Sequence, residues 1–68
     1  MKMYVWRDVL RDYTPGIAVA FAHNEDEARN VIVRDAEYYE KEGLAADIVK
    51  PPDEVYDKPA GVHEWGGS

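Results

Sequence analysis

Two short hydrophobic runs near the start of the chain have the pattern of β-strands. The first, residues 3–10, is rich in β-branched and aromatic side chains, which favour strands. The second covers residues 17–22, and Pro15-Gly16 just before it is typical of a tight turn. Because the connection is short, we expect an antiparallel β-hairpin over residues 3–22.

A helical pattern follows the hairpin. Asn24 is a favourable N-cap residue, and Glu27 three positions later can reach back to it as in a capping box. Apolar residues then recur at helical spacing as far as Tyr39, and Gly43 suits the position just beyond a helix end. These features predict one helix over residues 25–42.

The last third of the chain has a weaker pattern. Residues 44–49 suit either a short second helix or an irregular strand, which Pro51-Pro52 would end. An extended segment over residues 53–65, interrupted by Lys58-Pro59, is typical of an edge strand. We therefore predict one α+β domain, residues 1–68: a ββα unit and an interrupted C-terminal β segment, with one helix packed on one face of an antiparallel sheet.

Both faces of the predicted sheet are apolar. In the second strand, Ile17, Val19 and Phe21 alternate with three alanines that point the other way. One helix covers one face, so the other needs the C-terminal segment with Tyr56 and Trp65, a second copy of the chain, or a partner. Three aromatic residues are candidates for self-association, with core packing as the alternative: Tyr4, Trp6 and Trp65.

Composition excludes several partners. The 14 acidic and 8 basic side chains give a net charge of -6, which disfavours direct binding to nucleic acid and to anionic membranes. Residues 1–3 do not begin a signal peptide and no apolar run has transmembrane length, so we expect a cytoplasmic protein. With 68 residues and no cysteine, the core is small and has no disulfide to stabilise it.

The negative excess lies entirely after residue 23, in the predicted helix and the tail. It is either a solvated surface or an anionic surface that resembles a nucleic-acid backbone and docks on a basic protein. Tyr38 and Tyr39 on the same helix favour an interface, where tyrosine is enriched. The candidate partner-binding residues are Asp35, Glu37, Tyr38, Glu40, Glu42, Asp53, Glu54 and Asp57.

The sequence contains few residues that could act as catalytic nucleophiles. There is no cysteine, the single serine is Ser68 and the single threonine is Thr14, so no nucleophile stands in a recognisable motif. His23 and His63 do not have metal-ligand spacing. We expect no enzyme, no cofactor and no metal, and a metal-dependent factor built on these two histidines and nearby carboxylates is an alternative.

Three segments carry a resemblance to known proteins. They read Tyr-Val-Trp-Arg-Asp-Val-Leu-Arg-Asp-Tyr-Thr (residues 4–14), Asn-Glu-Asp-Glu-Ala (residues 24–28) and Val-His-Glu-Trp-Gly-Gly (residues 62–67). With them the chain resembles small acidic proteins of phages and prophages, of the anti-defence type that includes anti-CRISPR proteins. The resemblance implies a non-enzymatic inhibitor of a CRISPR–Cas or other nucleic-acid-binding effector in the host cytoplasm. A small homodimeric interaction or structural module is the alternative.

Overall fold

The hairpin predicted from the first two hydrophobic runs is present. The computed structural model describes residues 1–11 and 15–63. In it, strands β1 (Lys2–Val9) and β2 (Gly16–Ala22) pair antiparallel. A third strand, β3 (Glu54–Tyr56), pairs antiparallel with the other side of β1, so the strand order is β2-β1-β3. The antiparallel sheet and the two helices of the chain confirm the predicted α+β class.

The predicted helix over residues 25–42 is broken in two. Helix α1 (Glu25–Asp35) ends at Ala36, whose backbone is extended with a ψ of 155°. A single 3-10 turn (Tyr38–Glu40) then leads into helix α2 (Lys41–Asp47). The prediction of one continuous helix was therefore wrong, and residues 44–47 are helical rather than an irregular strand.

Packing against the sheet explains the break. A helix continued straight beyond Ala36 would carry Leu44 about 12 Å further along the axis of α1. The reversal between α1 and α2 instead lets Leu44 and Ile48 join Ile32 of α1 in the core. Gly43, expected just beyond the helix end, lies inside α2, where a Cβ would approach the side chain of Leu10 to 3.4 Å.

Trp6 lies at the centre of the core between the sheet and the helices, with no part of its surface exposed. On β2, Ala18, Ala20 and Ala22 are buried on the same face, and their small side chains leave room for α1 to approach. The ring of Tyr4 lies 6.4 Å from that of Trp6, centroid to centroid. Tight packing of this kind is what a small core needs for stability.

This burial corrects the assignment of two residues predicted for self-association. Tyr4 and Trp6 are core residues of the helix-covered face, so neither is available to a second copy of the chain. The sequence of β1 does not indicate which of its two apolar faces the helices cover, because both faces carry large side chains. Trp65, the third residue of that set, lies outside the described residues.

Polar groups tie the core to the chain that follows α2. The indole Nε1 of Trp6 donates a hydrogen bond to the Lys50 carbonyl at 2.8 Å. Arg29 of α1 lies over the Trp6 ring, with its guanidinium carbon 5.5 Å from the ring centroid. Its Nε and Nη2 donate to the carbonyls of Ile48 and Lys50, at 2.7 and 3.1 Å. One arginine and one tryptophan therefore join β1, α1 and the segment after α2.

The C-terminal segment partly covers the second face of the sheet. Tyr56 lies opposite Met3 in the ladder, and residues 57–60 line a cavity of about 310 Å³ together with Met3 and Phe21. No strand follows β3 within residues 57–63, so the predicted extended segment over residues 53–65 is regular only at its start. Phe21 nevertheless stays 67% exposed, so the β2 side of this face lacks cover among the described residues.

The end of β1 is irregular. Asp8 and Leu10 have φ angles of 59° and 46°, in the left-handed region that residues with side chains seldom adopt. The ladder shifts register between Arg7 and Val9, and this bulge directs Val9 into the core. Opposite Val9, a Cβ on Gly16 would lie 2.6 Å from the Val9 carbonyl oxygen, so the close approach of the two strands requires glycine.

We expect Gly16→Ala to destabilise the protein by about 1–3 kcal/mol, because the new methyl group forces the strands apart at the bulge. Urea denaturation followed by circular dichroism measures this change. Gly61→Ala is the matched control, since a Cβ there meets nothing within 4 Å. Equal stability of the two variants would contradict the close approach.

Candidate protein-binding surfaces

The connection between α1 and α2 presents two adjacent tyrosines to solvent. Ala36 and Glu37 are both extended, which carries the following 3-10 turn away from the sheet. Tyr38 is 90% exposed and Tyr39 is 81% exposed. Neither ring contributes to the core, and this turn holds the most exposed pair of aromatic side chains in the described part of the chain.

Three glutamates surround the tyrosines. The side chains of Glu37, Glu40 and Glu42 form no hydrogen bond or ion pair with any described residue. Lys41, the one basic residue between them, donates instead to the α1 carbonyls of Val33 and Arg34. We call residues 37–42 the acidic turn; its carboxylates have no partner in residues 1–11 and 15–63.

Asp35, also predicted as a partner-binding residue, differs from these glutamates. Its carboxylate pairs with Arg34, with Nε to Oδ1 at 2.9 Å and Nη2 to Oδ2 at 3.0 Å. The hydrogen bonds from Arg34 hold the pKa of Asp35 below its usual value. A neighbouring guanidinium therefore neutralises much of this charge, and Asp35 contributes less to a negative surface than the acidic turn does.

The tail residues of the predicted surface lie elsewhere. Asp53 accepts the backbone N–H of Arg7 at 2.7 Å, and Glu54 accepts hydrogen bonds from the Arg7 side chain and the Tyr56 hydroxyl. These bonds lower the pKa of Asp53, mainly through the Arg7 N–H, and that of Glu54, mainly through the Arg7 side chain. Both carboxylates hold β3 against β1, while Asp57 is exposed.

The predicted partner-binding residues therefore lie in two separate places in the structure. Asp53, Glu54 and Asp57 lie at the β3 edge of the sheet, whereas Asp35 and Glu40 line a groove beside β2 at the opposite edge. The predicted acidic residues therefore do not all lie together, because β1 lies between the two groups. Among the residues that the structure describes, only the acidic turn combines exposed aromatic rings with carboxylates that have no partner there.

The groove beside β2 was not predicted from the sequence. It has a volume of about 500 Å³, and because consecutive residues of β2 line it, it follows the outer edge of that strand. Its walls combine β2 residues such as Ile17 and Val19 with Val31 of α1 and Leu44 of α2. The absence of charge in residues 16–22 was the available signal, but it does not reveal on which side of the hairpin β3 pairs.

The first histidine lies at the start of α1. Asn24 Oδ1 accepts the Glu27 backbone N–H at 2.8 Å, which confirms the predicted N-cap. The Glu27 carboxylate bonds to the backbone N–H and Nδ1 of His23, at 3.1 and 3.0 Å, one residue earlier than a capping box requires. These bonds lower the pKa of Glu27, mainly through the backbone N–H of His23.

The described residues form neither a metal site nor a membrane-spanning helix. Within the described ranges, no three His, Cys, Asp or Glu side chains come together in a group that could hold a metal ion. His63 is exposed. Among the helices of the same ranges, none is sufficiently long and apolar to cross a membrane.

Comparison with protein-family models, with curated proteins and with solved structures finds no match to this chain. Functional assignment therefore depends on the residues themselves. Of the surfaces described, the acidic turn and the β2 groove have the geometry of contact sites.

Acid should destabilise the protein through Asp53 and Glu54. Because both pKa values are lowered in the folded state, their contribution is complete above the ordinary values, 3.8 for aspartate and 4.5 for glutamate. It is lost as the pH falls through the lower folded values. Urea midpoints measured from pH 7 to acid should show a smaller decline for Asp53→Asn/Glu54→Gln than for the wild type.

The single variant Asp57→Asn is the control for that experiment, since it removes a neighbouring exposed carboxylate without removing a hydrogen bond between described residues. Its acid decline should follow that of the wild type. If the double variant declines as steeply as the wild type, the contacts with Arg7 do not contribute to acid sensitivity.

Proposed function

We propose that this protein is a non-enzymatic binding protein whose acidic turn docks on a positively charged surface of a partner protein. The observation that carries the proposal is the pair of exposed rings, Tyr38 and Tyr39, set among three glutamates that have no partner within residues 1–11 and 15–63. Tyrosine is enriched at protein interfaces because its ring buries a large area while its hydroxyl keeps a hydrogen bond.

The two kinds of side chain have different roles in such a contact. Buried tyrosines at the centre of an interface commonly contribute more than 1 kcal/mol each. Surrounding carboxylates attract basic partners and determine orientation, and they affect the association rate more than the final affinity. The net charge of -6 extends this attraction beyond the turn itself.

Positively charged protein surfaces are typical of proteins that bind nucleic acid. We therefore propose a nucleic-acid-binding effector as the partner, with the acidic turn occupying a surface that otherwise contacts phosphates. Inhibition by occupancy needs no catalytic group, in agreement with a sequence that lacks cysteine and has a single serine and a single threonine. The resemblance to anti-defence proteins of phages favours a bacterial immune effector, such as a CRISPR–Cas complex.

Removing the tyrosines should weaken partner binding. We expect Tyr38→Ala and Tyr39→Ala each to reduce the affinity for a partner captured from bacterial lysate by about tenfold or more. Surface plasmon resonance measures the affinity, and thermal melting should be unchanged because both rings are exposed. Val49→Ala is the control, an exposed apolar residue outside the turn. Equal losses in all three variants would contradict an interface at the acidic turn.

If the carboxylates of the acidic turn contribute to binding, the affinity for the partner should depend on salt concentration. We expect binding to weaken as salt rises toward about 1 M, since exposed charges are screened at short distance. Glu37→Gln/Glu42→Gln should reduce both the affinity and the salt slope, whereas Asp26→Asn/Asp57→Asn, with the same change of net charge, should not. The captured partner should also lose binding to DNA or RNA when the protein is added.

A cellular assay tests the proposal that the partner is a CRISPR–Cas complex. In bacteria with an active CRISPR–Cas system, expression of the protein should raise the plating efficiency of a targeted phage, and the Tyr38→Ala variant should not. A captured partner that keeps its nucleic acid while the protein is bound would contradict competition for the same surface.

A further inference from the structure

The two edges of the sheet differ in how well they are protected against pairing with a strand of another chain. At one edge, β3 is three residues long, follows Pro51-Pro52 and lies between charged residues. Short, charged and proline-flanked strands are a common protection against pairing with other chains. At the other edge, β2 runs for seven residues with no charge and no proline. Within residues 1–11 and 15–63, no strand pairs with its outer side.

We propose that β2 pairs with β2 of a second copy, antiparallel about a two-fold axis at Val19, to form a continuous six-stranded sheet. The residues around Val19 alternate large and small symmetrically, as Ile-Ala-Val-Ala-Phe over residues 17–21. In this register Ile17 lies opposite Phe21 of the second copy, Val19 lies opposite itself, and alanine meets alanine on the helix-covered face. Such self-complementarity is what a two-fold interface requires.

The exposed side chains give this pairing apolar contacts. Val19 is 39% exposed and Phe21 is 67% exposed, both on the face opposite the helices. Cross-strand pairs of aromatic and β-branched residues stabilise a sheet, and the two-fold axis produces three such contacts. The outward N–H and C=O groups of β2, which no strand of the described ranges binds, would at the same time form hydrogen bonds with the second copy in place of water.

Electrostatics permits the contact despite the net charge. The strand itself has no ionised side chain. The charged residues of the adjoining groove, Arg34, Asp35 and Glu40, have both signs, and Arg34 and Asp35 neutralise each other. Salt should therefore leave the dimer intact or strengthen it slightly by screening the remaining repulsion.

The size of the contact predicts a reversible dimer. A seven-residue edge is about 23 Å long, and with the 18 Å shortest dimension of the molecule it gives about 400 Å² per copy. The total of about 800 Å² is below the roughly 1,200 Å² typical of stable complexes. We expect a dissociation constant of roughly 10–100 µM, so that the monomer predominates in dilute solution.

Sedimentation velocity across protein concentrations tests the proposal. The wild type should pass from monomer to dimer as its concentration approaches about 1 mM. Val19→Lys should stay monomeric, because the axis would place two ammonium groups face to face. Val55→Lys, at an exposed site of the other edge strand, should dimerise like the wild type. Circular dichroism must show that both variants are folded.

A charge pair tests the register itself. Ile17→Lys and Phe21→Glu should each weaken the dimer, and the double variant should restore it, because the proposed register places position 17 of one copy opposite position 21 of the other. A double variant that is weaker than both single variants would overturn the register and with it the proposal.

Other results would also overturn the proposal. A wild type that stays monomeric at about 1 mM would do so, and so would equal loss of dimer in Val19→Lys and Val55→Lys. The test is independent of the proposed function, because Tyr38→Ala should leave the dimer unchanged, and high salt weakens partner binding but not the dimer.

Discussion

The buried indole N–H of Trp6 is the constraint from which much of this structure follows. A donor in the core without an acceptor costs free energy comparable to a lost hydrogen bond, and the acceptor here is the Lys50 carbonyl. The chain after α2 must therefore pass beside the ring, where Arg29 also holds it. From that point Asp53 and Glu54 reach Arg7 of β1.

The path of the chain after α2 explains why β2 is an edge strand and why the acidic turn lies at the surface. The segment after α2 arrives on the β1 side, so β3 completes the sheet there and β2 remains at the edge. For Ile48 to come near Arg29, α2 must fold back on α1, and the reversal places the acidic turn at the outer corner. Both proposed contact surfaces thus originate in the way the core satisfies one polar group.

Local signals were sufficient for some elements and insufficient for others. The hairpin and the Asn24 cap follow from turn and capping chemistry within a few residues, and both are present. The end of α1 had no such signal, because Ala36 and Glu37 are good helix formers. Tertiary packing of Leu44 and Ile48 outweighs that preference. The position of β3 depends on contacts more than 40 residues apart, which no short window contains.

The acidic side chains were similarly readable only in part. Their number, and the position of the net negative charge after residue 23, are evident in the sequence. Which of them stabilise the fold and which stay unpaired is not. Asp53 and Glu54 bind Arg7 and stabilise the fold, while Glu37 and Glu42 stay unpaired among the described residues. The paired and unpaired carboxylates can be told apart only when it is known that Arg7 lies beside β3. That position follows from the strand order of the sheet and cannot be read from the charge pattern.

The separation of 44 positions between Trp6 and its acceptor also governs when the molecule can fold during synthesis. A chain that emerges from the ribosome exposes the hairpin and α1 first, yet the tryptophan N–H has no protein acceptor until residue 50 is free. The apolar β2 edge is exposed throughout that interval. Nascent chains close together on one message would present matching edges before their cores are complete, a hazard that grows as ribosomes follow one another more closely.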